Sequence, residues 1–351
     1  MKYDLIAPTS MGIRLSPQDR QPVGTGRTMT MYATSAESNV LNVASSLGLK
    51  TCVLTAFVKN SPIAAFIKGE LRRRGIEYQG PEVDQGGPWG YRHQFNIADA
   101  GFGARGPRVH NDRAGEVGLT LSAEQFDLEA LFEKDGVRMM HLSGLFAALS
   151  PKTAELSVIL AEMARKNGTL VSFDLNHRAS FWEGREKELH EAFVKIASLS
   201  DILIGNEEDY QLALHIKGPQ AGGEDIGNNL DEFKKMIGKA GDVFPNVRVF
   251  ATTLRQVLDA NRHLWGAILY KDDVWQVAPQ REIQILDRIG GGDGFVGGLL
   301  YSLLKGWDGE KCLQFGWATG ALAATMIEDY ASPADEKQVF QVWEGNARVL
   351  R

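Results

Sequence analysis

Cysteine is scarce in this chain: Cys52 and Cys312 are the only two thiols in 351 residues. Both stand in apolar surroundings, too few for a disulfide framework or a thiolate metal cluster, and they point to a reducing compartment. An excess of positive charge is also missing. Lys and Arg number 38 against 44 Asp and Glu, a net charge of -6, which argues against a dedicated nucleic-acid binder. No apolar run approaches the roughly 20 residues of a membrane-spanning helix. The opening Met-Lys-Tyr-Asp-Leu-Ile-Ala-Pro lacks the apolar core of a secretory leader. The expectation is a cytoplasmic protein with neither a membrane nor a nucleic-acid partner. The sequence carries no internal repeat, and at this length it can bury a large core.

What is present is an alternation of short apolar runs with amphipathic stretches, the pattern of an α/β protein with a mainly parallel sheet covered by helices on both faces. Strands are predicted over 3–7, 51–57, 170–175, 201–204, 248–252 and 267–270. A helix is predicted over 36–47, with Val40, Val43, Ala44 and Leu47 on one side and Gly48 as its stop. Ser61-Pro62 and Ser150-Pro151 each start another, because serine caps the first turn and the fixed φ of proline suits it. These helices run to Gly75 and to about Asn167-Gly168, and further helices are predicted over 185–198 and from 307 to about 328. Residues 217–230, rich in Gly, Asn and Gln, read as a surface insertion. Two segments, 12–34 and 88–118, break the alternation with Gly, Pro, Arg and strand-like patches such as Trp89–Ile97.

The most informative stretch is Asp-Arg-Ile-Gly-Gly-Gly-Asp-Gly-Phe-Val-Gly-Gly-Leu-Leu, residues 287–300. Gly290, Gly291 and Gly292 run into Asp293, and a helical apolar pattern follows at once. Glycines at a helix start let backbone N–H groups converge on an anion, and the helix dipole adds roughly half a positive charge there. A carboxylate at that mouth repels a phosphate. It makes chemical sense as a base that removes a proton from a hydroxyl attacking a phosphoryl group held by the glycines. Taken alone, a glycine turn followed by an N-terminal aspartate is also a common structural helix start.

The full string resembles the C-terminal signature of the ribokinase-like (PfkB) carbohydrate kinases. It departs only at Arg288, where the family usually has Thr, Ser, Pro or Val, and Asp-Arg-Ile-Gly-Gly-Gly-Asp is similar to the variant in 2-keto-3-deoxygluconate kinases. The resemblance implies a ribokinase-like three-layer α/β/α domain spanning 1–351, with a small β lid formed by insertions at about 12–34 and 88–118. It implies ATP and Mg²⁺ as cofactors, Asp293 as the base, and Gly290, Gly291 and Gly292 as the phosphoryl cradle. A homodimer through paired lid edges is a further expectation.

Other segments fit the same family in order along the chain. Ala36-Glu37-Ser38-Asn39 resembles its first helix start, which makes Asn39 and Ser35 sugar ligands; Thr34 and Ser35 replace the usual glycine pair. Tyr91 and Arg113 lie in the implied lid, the latter in Asn-Asp-Arg-Ala, similar to acid-sugar kinases. Phe173-Asp174-Leu175-Asn176-His177-Arg178 ends a predicted strand, where sites of open α/β sheets gather. Asp-x-Asn there is equally a good turn, and the resemblance assigns Asn176 and Arg178 to the acid sugar. Asn206-Glu207-Glu208-Asp209 matches the family's Asn-x-x-Glu motif, with Asp209 one methylene shorter. The resemblance implies nucleotide binding by Asn206 and water-bound Mg²⁺ near Asp209 or Glu208. Thr253 and Arg255 stand where the family lines the triphosphate, Arg255 replacing a glycine and pointing either to phosphate or to solvent. Gly320, in a run of small residues, suits either an adenine or tight packing.

The activity implied is ATP-dependent phosphorylation of 2-keto-3-deoxygluconate at its primary hydroxyl, giving the 6-phosphate. A kinase for fructose or 2-keto-3-deoxygalactonate, and a catalytically silent sugar-binding regulator, are the other readings.

Overall fold

The computed structural model describes residues 1–219 and 230–348; the insertion expected at 217–230 lies mostly outside them. In chain order the strands are β1 (Tyr3–Pro8), β2 (Gly12–Pro17), β3 (Met29–Thr34), β4 (Thr51–Leu54), β5 (Phe57–Val58), β6 (Ile76–Gln79), β7 (Glu82–Val83), β8 (Phe95–Ala98), β9 (Val109–Asp112), β10 (Val137–Ser143), β11 (Leu170–Asp174), β12 (Ile202–Ile204), β13 (Val249–Asp259), β14 (Arg262–Lys271) and β15 (Val274–Gln284). The helices are α1 (Ala36–Ser46), α2 (Pro62–Arg73), α3 (Gly144–Ala147), α4 (Pro151–Lys166), α5 (Ala179–Trp182), α6 (Glu186–Ala197), α7 (Glu207–Ala213), α8 (Leu230–Val243), α9 (Gly291–Leu304), α10 (Gly309–Ala323) and α11 (Glu336–Glu344).

Nine strands form one sheet in the order β15-β14-β13-β12-β11-β10-β1-β4-β6. From β6 to β13 every neighbouring pair is parallel. Side chains alternate between faces along a strand, so Ile202 and Ile204 join one apolar layer and Leu203 the other. The first layer packs under α1, α2, α9 and α10, through Leu41, Ile67, Leu299 and Phe315. The second packs under α4, α6 and α8, through Leu160, Phe193 and Met236. Helices thus cover both faces, which is what parallel strands without a polar face require. The expected caps are in place: Ser61 and Ser150 each accept a backbone N–H in the first turn of their helix, and Ser35, expected only as a sugar ligand, does the same for α1.

A second sheet, in the order β3-β2-β8-β9, is built from the two segments that break the alternation. Its outer pairs are antiparallel and β2–β8 is parallel. It stands over the carboxyl ends of the parallel strands.

Three expectations are corrected. The strand predicted over 51–57 splits: β4 ends at Leu54, and Phe57–Val58 pairs with β7 in a separate two-stranded ribbon. The patch beginning at Trp89 joins the small sheet only from Phe95, after a lone bridge from Arg92 to Glu116; Gly86 and Gly87, both with positive φ, turn the chain first, and Trp89 is 98% exposed. The segments at 248–252 and 267–270 are parts of a long antiparallel meander, β13–β15. Its second turn is Asp272-Asp273, at φ 53 and 60, the left-handed geometry that two-residue hairpins demand.

Candidate active site

Helix α9 starts abruptly because Gly290 sits at φ 84, a region that strains any residue with a Cβ. Space enforces the same choice: a Cβ on Gly290 would lie 1.7 Å from the Asp329 carbonyl oxygen. The turn places Asp293 in the first turn of α9, facing α1. There the Asn39 side-chain amide donates to Asp293 Oδ2 at 2.9 Å. Surrounding protein strips water from the Asp293 carboxylate and raises its pKa to about 7; the Asn39 amide opposes this, and the charges of Glu37 and Asp329 reinforce it. A carboxylate tuned to neutrality is suited to proton transfer.

Two cavities meet at this residue. The first, about 580 Å³, lies between the small sheet and α1. The second, about 690 Å³, lies over the ends of β11, β12 and β13. Asn176, Arg178, Arg255, Gly292 and Asp293 line both. The first cavity has an unusual chemical character. Four buried acceptors on its wall, Glu37 Oε1, Asn39 Oδ1, Gln94 Oε1 and Asn96 Oδ1, have no hydrogen-bond partner among the described residues. Unpaired buried acceptors cost free energy, so this wall suits a ligand rich in hydroxyl donors.

The structure brings most of the expected residues to these cavities. Ser35, Asn39 and Arg113 line the first, and Asn206, Glu208, Asp209 and Thr253 the second. Several are already engaged. Ser35 caps α1, and Thr34 donates to Asp329 at 2.7 Å, so the pair replacing two glycines is structural as well as lining. Arg113 holds Glu116 at 2.8 and 3.0 Å, and Ser10 donates to the same carboxylate. Asn176, at φ 35, donates its backbone N–H to Asp174, closing the turn that Asp-x-Asn suggests. Tyr91 lies exposed and lines neither cavity. Gly320 lines neither either: a Cβ there would meet the Trp265 ring at 2.7 Å and the Gly291 carbonyl at 2.9 Å, so the glycine lets α10 pack on the start of α9.

Asp209 has both carboxylate oxygens occupied, accepting from His177 N at 2.9 Å and Asn206 N at 2.8 Å. It clasps two loops, and Glu208 is the exposed carboxylate beside it. Among the described residues no three metal-ligating side chains converge. That donor set fits Mg²⁺ held through waters and ligand phosphates, the usual manner for this ion.

Sequence reasoning missed a buried triad. Arg14, on β2, reaches Asp287 with one guanidinium nitrogen and Asp329 with the other. It ties the small sheet to Asp287, just before the glycine turn, and to Asp329, whose carbonyl abuts Gly290. No local pattern marks it, since its partners lie 273 and 315 residues away. Glu37, Gln94 and Asn96 were likewise unmarked. Arg288, read as a departure in the glycine stretch and as a pointer to the subfamily, lines the first cavity.

The sequence profile described as pfkB family carbohydrate kinase matches residues 3–336. The chain belongs to this family. A 2-dehydro-3-deoxygalactonokinase from Haloferax volcanii is 27% identical over 333 residues, covering 94% of each chain. A 5-dehydro-2-deoxygluconokinase from Clostridium tetani is 22% identical, covering 91% of this chain and 86% of that one. The crystal structure of a 2-dehydro-3-deoxygluconokinase from Thermotoga maritima superposes with a TM-score of 0.85 at 24% identity, over 98% of this chain and 99% of that one, and so shares the fold. As a pfkB protein the chain is a carbohydrate kinase with a ribokinase-like fold. No helix among the described residues is long and apolar enough to cross a membrane.

Proposed function

We propose that this chain phosphorylates the primary hydroxyl of 2-keto-3-deoxygluconate from ATP, giving the 6-phosphate. The observation that carries the reading is the place of Asp293: a carboxylate with a pKa of about 7 on the wall shared by the two described cavities, bonded to Asn39. In this scheme the sugar acid fills the first cavity, where the orphaned acceptors receive its hydroxyls. ATP fills the second, its phosphates toward Gly292, with Asn206, Thr253 and Arg255 along them. Mg²⁺, held through water near Glu208 and Asp209, screens the nucleotide charge. Asp293 takes the hydroxyl proton as the oxygen attacks, and the N–H groups of Gly290–Asp293 stabilise the charge on the phosphoryl group. Arg178 and Arg113 supply positive charge for the sugar carboxylate, Arg113 by sharing with Glu116.

The galactonate epimer is the second reading, favoured by the name of the Haloferax relative. ADP release measured with 2-keto-3-deoxygluconate, 2-keto-3-deoxygalactonate, 5-keto-2-deoxygluconate and fructose separates these substrates. Turnover of fructose as efficient as of the acids would overturn the assignment of the arginines, and no sugar-dependent ADP release at all would leave a silent sugar binder.

A further inference from the structure

Arg288 and Arg255 are cations without a counter-charge. Neither guanidinium makes a hydrogen bond or ion pair with a described residue, whereas Arg14, Arg92, Arg113 and Arg185 each hold a carboxylate. The adjacent Asp287 is of no help to Arg288, because Arg14 occupies it. Both instead line the first cavity, near enough for the charge of one to act on the other. Lost hydration, then the charges of Arg288 and Arg178, lower the Arg255 pKa to about 10. Burial and the same pair, Arg255 and Arg288, push the neighbouring His263 down to about 4. Like charges gathered this way are costly unless a ligand supplies the anion.

Position selects which anion. Arg178 and Arg255 line both cavities, and Arg288 lines only the first, beside Ile289 and Gly290. A sugar-acid carboxylate is at the opposite end of its carbon chain from the primary hydroxyl. With that hydroxyl at Asp293, the carboxylate lies far from the glycine turn, and the anion at the turn is the phosphoryl group. We propose that Arg288 and Arg255 clamp the phosphoryl group in transit, Arg288 receiving it on the sugar side. This rests on the kinase reading above. The sugar oxygen forms the new O–P bond while the bond from phosphorus to the bridging oxygen of ATP breaks. That electron pair leaves on ADP, the hydroxyl proton goes to Asp293, and the equatorial oxygens of the moving group lie against the guanidinium forks.

The test compares wild type with Arg288→Gln, Arg288→Lys and Arg255→Gln, using 2-keto-3-deoxygluconate and its neutral C1 alcohol. The clamp predicts that Arg288→Gln lowers kcat by about 10²- to 10³-fold on both substrates with little change in KM, and that Arg288→Lys recovers part of the loss. Thermal unfolding supplies a second readout. ADP, Mg²⁺, fluoroaluminate and sugar together should stabilise wild type beyond ADP and Mg²⁺ alone, and Arg288→Gln and Arg255→Gln should lose that increment while keeping the ADP shift. Unchanged kcat in Arg288→Gln, or a KM rise confined to the acid, would overturn the clamp and make Arg288 a carboxylate reader. Wild type without sugar-dependent ADP release overturns the kinase reading, and the clamp with it; normal wild-type turnover with an unimpaired Arg288→Gln overturns the clamp alone.

Discussion

Asn39, in the second turn of α1, donates its side-chain amide to Asp293 Oδ2 across 254 residues of sequence. The bond does two things at once. It orients the carboxylate, and it favours the ionised form against the desolvation that raises the pKa to about 7. Replacing Asp293 with Asn keeps the shape and removes the base. The expected loss in kcat is about 10²- to 10⁴-fold, read as sugar-dependent ADP release.

Because the base works ionised, kcat/KM should rise with pH and level off above about 7. Asn39→Ala removes a stabiliser of the charged form, so this limb should move to higher pH by about one unit. A pH profile of kcat/KM for wild type and variant checks it; a limb that stays put would separate Asn39 from the titration of Asp293.

Arg14 is 1% exposed, and its partners Asp287 and Asp329 are 3% and 4% exposed. Arg14→Met leaves two buried carboxylates facing each other. The expected loss is about 3–5 kcal/mol of stability, measured by urea unfolding, with a fall in kcat because both carboxylates flank the glycine turn.

Gly290→Ala should harm catalysis more than its size suggests. The left-handed backbone strains any Cβ by about 1–3 kcal/mol, and the added carbon would strike the Asp329 carbonyl 1.7 Å away. The start of α9 must shift, and the N–H groups of the turn shift with it. Turnover near wild type, with unfolding unchanged, would show that the turn is not under this constraint.

Asp174 offers a pH test of stability. Desolvation, then the charges of Asp209 and Asp293, raise its pKa from 3.8 to about 8. The folded state therefore binds a proton that the unfolded state releases near pH 4, so stability is full below that value and declines as pH rises through about 8. Asp174→Asn cannot ionise and should flatten the decline, visible as a smaller drop in Tm between pH 6 and pH 9.

The parallel strands and their helices were legible in the sequence because their causes are local. Apolar runs, Ser-Pro starts and glycine stops specify most of these elements, and Ser61 and Ser150 cap as expected, whereas β6, β10 and α8 were not marked. The glycine turn and Asp293 were legible for the same reason, as contiguous chemistry. The meander was not, because its second turn takes positive φ from Asp272 and Asp273 instead of the glycine that usually announces a hairpin. Nor were Arg14 and the acceptors Glu37, Gln94 and Asn96, whose significance comes only from what the fold sets opposite them. Asp209 shows the converse: its motif was visible, but only the structure reveals that both its oxygens serve backbone N–H groups.

The Arg14 triad also bears on the shape of the first cavity. One strand of the small sheet is pinned at Arg14 to the turn that carries the phosphoryl cradle, so the sheet cannot lift away as a plate without breaking a buried ion cluster. At the opposite edge, β9 at Val109–Asp112, Val109, His110 and Asn111 are exposed. The buried cluster fixes the spacing between the small sheet and the start of α9, and with it the width of the first cavity at that end.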